Sequence, residues 1–217
     1  MNIVKEPIEI KGEKLILSNQ RALFWPKENA LVLSDLHVGK TATFRKHGIP
    51  ISRKVLEDDL EKLSNLINHF NAKKLIIVGD LFHAENNQDI FYFREWLKKT
   101  GIIIELIAGN HDRHSKLFYE ELGLIVFSRE KIAGAFRFVH DQVKPHIKQF
   151  TISGHTHPGV LIKGRGKQFI KLPCYQVTQQ QLILPAFSKF TGLNTRDIPE
   201  NSVSYGFTET SFVKILG

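Results

Sequence analysis

A chain of 217 residues with 42% hydrophobic and 24% charged residues has an ordinary globular composition and the length for one domain, residues 1–217, with a substantial core. The single cysteine, Cys174, excludes an intramolecular disulfide, acidic residues in the N-terminal MNIVKEPIEIKGEKL argue against a signal peptide, and no apolar run reaches the ~18 residues of a membrane span, so a cytoplasmic protein without a membrane partner is expected. The net charge of +8 is uneven: Met1 to Asp112 carries 16 basic and 15 acidic residues (+1) and Arg113 to Gly217 carries 14 and 7 (+7), which makes a polyanion, nucleic acid first, the partner to consider.

Ile8 to Ile10 and Lys14 to Leu17 read as a hairpin around Gly12, followed by a turn at Phe24-Trp25-Pro26. The apolar run in LVLSDLHVGK, Leu31 to Lys40, then stops at Asp35 and His37, which are two apart and share a strand face. The following VGKTATFRKHGIPIS reads as a long loop that sets Lys40, Arg45, Lys46 and His47 where they meet a substrate phosphate. It is not a Walker-type phosphate loop, because Ser34 stands where that motif needs its first glycine.

Ser52 caps a predicted helix to Asn71 whose apolar face is Leu56, Leu60, Leu63 and Ile67. LIIVGD ends on Asp80, a second helix from Asp89 to Thr100 buries Phe93, Trp96 and Leu97 and stops at Gly101, and IIIELIAGNHD ends on Asn110, His111 and Asp112. This alternation argues a mixed α/β layer with ligands at the carboxyl ends of strands. After a short helix at Lys116 to Leu122, the strands IVFSRE, AFRFVH, QFTISGH, GVLIKG, QLILPAF and SFVKIL predict a second sheet packed on the first.

Five apolar strands thus stop at side chains that ligate metals: Asp35 and His37, Asp80, Asn110, His140, and His155 with His157. Seven oxygen and nitrogen ligands with no thiolate suit two hard or borderline divalent ions engaged in chemistry, Mn first among Mn, Fe, Zn and Mg. His146 lies near His140 but follows Pro145 in a loop, so strand-end placement favours His140.

The ordered set D-x-H, GD, GNHD, H and GHTH from Asp35 to His157 resembles the calcineurin-like metallophosphoesterase superfamily. The resemblance implies an α/β fold, a four-layer α-β-β-α sandwich with two mixed sheets. It implies that Asp35, His37 and His157 hold one ion with Asp80, which bridges to a second ion completed by Asn110, His140 and His155. Water activated by the two ions is then the nucleophile. His111 remains as a non-ligand imidazole that stabilises the transition state or protonates the leaving oxygen, oriented by Asp112, while Lys40, Arg45 and Arg113 are the candidate phosphate contacts. Lys163, Arg165 and Lys167, in a Gly-rich turn soon after His157, add basic groups for flanking phosphates.

DLHVGKTATFRKHGIPI, LPCY at Leu172 to Tyr175 and LPAFSKFTG at Leu184 to Gly192 are similar to the bacterial ligase-associated DNA damage response phosphoesterases of the PdeM family. That narrower resemblance implies a DNA endonuclease or DNA-processing phosphodiesterase that works with a DNA ligase and a helicase. A phosphatase or nucleotidase for small phosphate esters and a metal-poor scaffold are the alternatives; the full ligand set and His111 count against the scaffold.

Overall fold

The computed structural model describes every residue except Met1, Arg53, 84–86, 142–147 and Lys167; His146 and Lys167 of the sequence reading therefore lie outside the described residues. One sheet runs in chain order through β1 (Lys5–Ile10), β2 (Glu13–Ser18), β3 (Leu23–Trp25), β4 (Ala30–Leu33), β5 (Lys74–Val78), β6 (Ile103–Ile107) and β7 (Ile125–Phe127). β1 to β4 form an antiparallel meander, and its first turn places Lys11 and Gly12 at φ 53° and 74°, the left-handed pair that a tight hairpin needs. From β4 to β7 the pairing is parallel, with α2 (Lys54–Phe70), α3 (Gln88–Thr100) and α4 (Lys116–Glu121) in the crossovers.

The second sheet is built from β8 (Glu130–Ala133), β9 (Phe136–Val139), β10 (Phe150–Ser153), β12 (Phe169–Val177), β13 (Gln181–Ile183), β14 (Val203–Phe207) and β15 (Phe212–Leu216), in the order β15-β14-β12-β13-β10-β9-β8, with β11 (Gly159–Lys163) paired to β12. Its centre is parallel, β9 with β10 and β10 with β13.

Strand alternation sorts the first sheet's two faces. Leu31, Leu33, Leu75, Ile77, Ile104 and Leu106 pack with Leu56, Leu60 and Leu63 of α2, Phe93 of α3 and Phe118 of α4. Ala30, Val32, Ile76, Val78 and Ile107 turn the other way, onto Phe136, Phe138, Phe150 and Ile152 of the second sheet. Strands covered on both faces read as unbroken apolar runs, as LIIV does.

Two sequence expectations change. The stretch after His37 is not all loop: α1 (Lys40–Lys46) forms there behind Gly39, whose φ of 95° starts the turn. The longest strand of the second sheet, β12, escaped because Pro173 reads as a strand breaker, yet that residue pairs with Gly159 of the short β11, at a position where no central ladder is lost. Among the described residues every helix precedes Leu122, and two mixed sheets with few helices agree with the expected α/β sandwich.

Candidate metal centre

The site is assembled where the parallel strands of both sheets end. Past Leu33 the chain leaves β4 but keeps pairing beside β5: the Asp35 N–H donates to Gly79 O (3.1 Å), the His37 N–H to Asp80 O (3.0 Å) and the Val38 N–H to Leu81 O (2.8 Å). Asp35, His37, Asp80, His155 and His157 all hold left-handed backbone, with φ between 50° and 68°. That conformation costs a non-glycine residue about 1 kcal/mol or more, and a cluster of such residues points to a functional site held by its surroundings.

Glycines in the GD, GN and GH pairs make the approach possible. A Cβ on Gly79, whose φ is 82°, would sit 1.9 Å from His140 Nδ1; one on Gly109 would sit 2.3 Å from Asp80 Oδ1. One on Gly154 would meet Ser34 Cβ at 2.5 Å and Asp35 Oδ2 at 2.9 Å.

Two groups of ligand atoms result, each with its members within 4.8 Å of one another: Asp35, His37 and His157, and Asp80, His140 and His155. In the first, His157 Nε2 lies 3.3 Å and His37 Nε2 4.0 Å from Asp35 Oδ1. In the second, His140 Nε2 lies 3.4 Å from Asp80 Oδ1 and 3.1 Å from His155 Nδ1. His140 Nδ1 lies 3.2 Å from Val78 O, which points Nε2 inward. The groups are laced together because the His155 N–H donates to Asp35 Oδ2 (3.1 Å).

Asp35 Oδ1 and both ring nitrogens of His37 are buried without a hydrogen-bond partner. A buried carboxylate oxygen and an imidazole nitrogen left unpaired are costly, and a divalent cation is the partner that satisfies both, so the donor set fits a pair of divalent ions, one in each group. Burial pushes the His37 imidazole down to about 3, with Asp35 opposing, so it stays neutral and able to ligate. Burial also works against charge on Asp80 and His140, but their mutual contact prevails: it holds Asp80 well below the usual carboxylate range and raises His140 to about 9.

His111 stands outside both groups. Its side chain is 46% exposed, its Nε2 is 4.0 Å from Asp80 Oδ2, and its backbone N–H donates to Asp80 Oδ1 (3.0 Å). Asn110 is exposed in the same loop, on the wall of a cleft of about 1080 Å³ shared with His140. Lys40 is half-buried at the start of α1, where burial lowers the pKa of its ammonium group and the charges of Asp35 and Asp80 oppose that shift.

Two roles are corrected. Asp112 does not orient the His111 imidazole: its buried carboxylate accepts from the backbone N–H groups of Phe82 and Gly109 (2.9 Å each) and Leu81 (3.3 Å), stapling the GNHD loop to the segment after Asp80. Arg45 is committed to structure, with Nη2 2.8 Å from Asp89 Oδ1 and Nη1 3.3 Å from Ile51 O, so the guanidinium anchors α1 to α3 rather than waiting for phosphate. Arg113 is exposed and its Nε donates to Asn110 O (2.8 Å). Lys163 and Arg165 are exposed at the far end of β11.

The sequence reading missed His83. Its ring centroid lies 4.6 Å from that of His111 with planes at 31°, and 5.4 Å from that of His37, making it a wall of the site. The histidine three residues after Asp80 was its only signal.

The family model for calcineurin-like phosphoesterases matches residues 29–156, from just before β4 through His155. Among solved structures, Pseudomonas putida nuclease MPE is 28% identical, with a TM-score of 0.83 over 98% of this chain and 100% of that one. Yfce, a phosphoesterase from E. coli, is 15% identical with a TM-score of 0.44, over 86% of this chain and 98% of that one. No curated protein matches. The chain belongs to the calcineurin-like phosphoesterase family and is an enzyme that hydrolyses phosphate esters.

Proposed function

We propose that this protein is a dinuclear-metal phosphodiesterase that cleaves DNA strands, acting as one domain in the cytoplasm, in a repair system that includes a DNA ligase and a helicase. The end-to-end likeness to a nuclease carries this reading. The charge of +7 on the second half and the cleft beside Asn110 and His140, which leaves room for the second arm of a diester, support it.

Asp35, His37 and His157 would hold one ion, Asn110, His140 and His155 the other, and Asp80 would bridge them, Mn being the first choice of metal. When bound, two such ions neutralise phosphate oxygens and lower the pKa of water. Lys40, three residues past His37 at the start of α1, pairs with a non-bridging phosphate oxygen, and Arg113 meets the strand at the rim. His111, exposed beside Asp80 and lying against the His83 ring, donates a proton to the leaving oxygen.

The reading is tested with Mn-loaded protein on bis-p-nitrophenyl phosphate, p-nitrophenyl phosphate, single-stranded DNA and duplex DNA. Cleavage of the diester and of DNA, with the monoester slower, is the expected result. Fast monoester hydrolysis with intact DNA would replace it by the phosphatase reading.

A further inference from the structure

The β11–β12 ribbon leaves the second sheet with apolar side chains in water. Phe169 and Ile170 are 64% and 58% exposed and Leu161 40%, although the pairing Lys163↔Phe169, Ile162↔Ile170 and Leu161↔Lys171 is regular. Opposed residues share a face, so one face reads Leu161, Lys163, Phe169 and Lys171, two apolar groups interleaved with two ammonium groups. A shallow hollow of about 210 Å³ lies there between Leu161, Lys163, Gly166, Gln168 and Phe169. From Gly159 to Val177 the sequence has Lys163, Arg165, Lys167 and Lys171 and no acidic residue.

A two-stranded ribbon with apolar groups in water calls for a cover. Charge decides which. Two copies meeting through this face would bring two all-basic ribbons together, which repel, whereas a polyanion is attracted by the same groups. An acceptor-rich strand with flat, stacking bases meets both requirements at once: phosphates on the lysines, a base on the phenyl ring.

We infer that the β11–β12 ribbon is an exosite for single-stranded nucleic acid, with a base stacked on Phe169 and the flanking phosphates on Lys163, Arg165 and Lys171. The inference rests on the nuclease reading and adds a place for the strand outside the metal centre. β11 begins two residues after His157 and Lys163 is six residues on, so extended chain sets the exosite about 20 Å from the site. It therefore serves long strands and not dinucleotides.

The test compares wild type, Phe169→Ala and Phe169→Trp for binding and cleavage of an oligothymidylate of about 16 nucleotides, the upper range of single-strand site sizes. Each variant is also assayed on bis-p-nitrophenyl phosphate, and sedimentation gives its oligomeric state. Phe169→Ala should bind the oligonucleotide about 10-fold more weakly, as loss of one base–aromatic contact would, with Phe169→Trp restoring affinity and the small diester turned over at the wild-type rate. If Phe169→Ala binds and cuts the oligonucleotide as wild type does, the exosite is wrong while the nuclease reading stands. If Phe169→Ala instead dissolves a dimer with oligonucleotide affinity unchanged, the face is an interface between copies and the inference falls. If wild type hydrolyses the small diester but neither binds nor cuts the oligonucleotide, both readings fall.

Discussion

The two sheets bring different chemistry to one site. The first supplies both carboxylates, Asp35 and Asp80, together with His37; the second supplies His140, His155 and His157. Each ligand group therefore straddles the seam, and Gly79 and Gly154, one from each side, are where backbone must give way to a side chain of the other sheet. An ion held in either group ties the sheets together, so loading becomes part of the fold's stability as well as of its chemistry.

The largest expected effect comes from Asp80→Asn. A neutral amide bridges two cations poorly, so turnover should drop by more than about 10³-fold, beyond the usual cost of one preorganised donor, and bound metal should fall at both groups. A metal-replete, active Asp80→Asn protein would break the straddling picture. Stability gives a second test: Mn at about 10³ times its dissociation constant should raise the unfolding free energy by about 4 kcal/mol, seen as an upward shift in Tm that Asp80→Asn does not show.

His111→Ala should lower turnover by ~10²-fold, the scale of acid or base catalysis, with metal content near wild type. If the variant lost an ion instead, the first sheet would be contributing a further ligand and the division between sheets would need redrawing.

The smallest effect sharpens how far the seam reaches. Cys174 is buried in β12, and burial raises its thiol to about 12. The folded thiol keeps its proton from the ordinary ~8.5 up to about 12 while the unfolded chain loses its own, so this group's contribution to stability falls as pH rises through that window. At pH ~8.5 native protein should resist alkylation at Cys174 until denaturant is added. Labelling after metal stripping alone would show that the ions hold the second sheet's interior and not only its edge.

Local pattern made the first sheet and the candidate ligands readable. LIIVGD and FRFVH are apolar runs that stop at a ligand, and the predicted helices at Ser52 to Asn71 and Asp89 to Thr100 appear as Lys54–Phe70 and Gln88–Thr100. What stayed hidden depends on partners distant in sequence. Nothing beside Arg45 announces Asp89, 44 residues on, and nothing beside Asp112 announces the amides of Leu81 and Phe82. β12 was obscured by a proline whose missing N–H matters only once its neighbours are known, and β14 by Gly206, where a Cβ would lie 2.9 Å from Val160 Cγ2.

One contact bears on how the protein is made. Phe187 N–H donates to Ser34 O (2.8 Å) and Ser188 N–H to Asp35 O (3.3 Å), so the backbone that carries the first candidate ligand is braced by residues that follow β13. Translation delivers every candidate ligand by His157, yet that brace must wait for Ser188 to emerge, on the order of ten seconds after Asp35 at a synthesis rate of about 5–20 residues per second. A ribosome-bound chain thus holds all its metal-seeking side chains before the support of Asp35 exists, and the centre matures only after Ser188 has emerged.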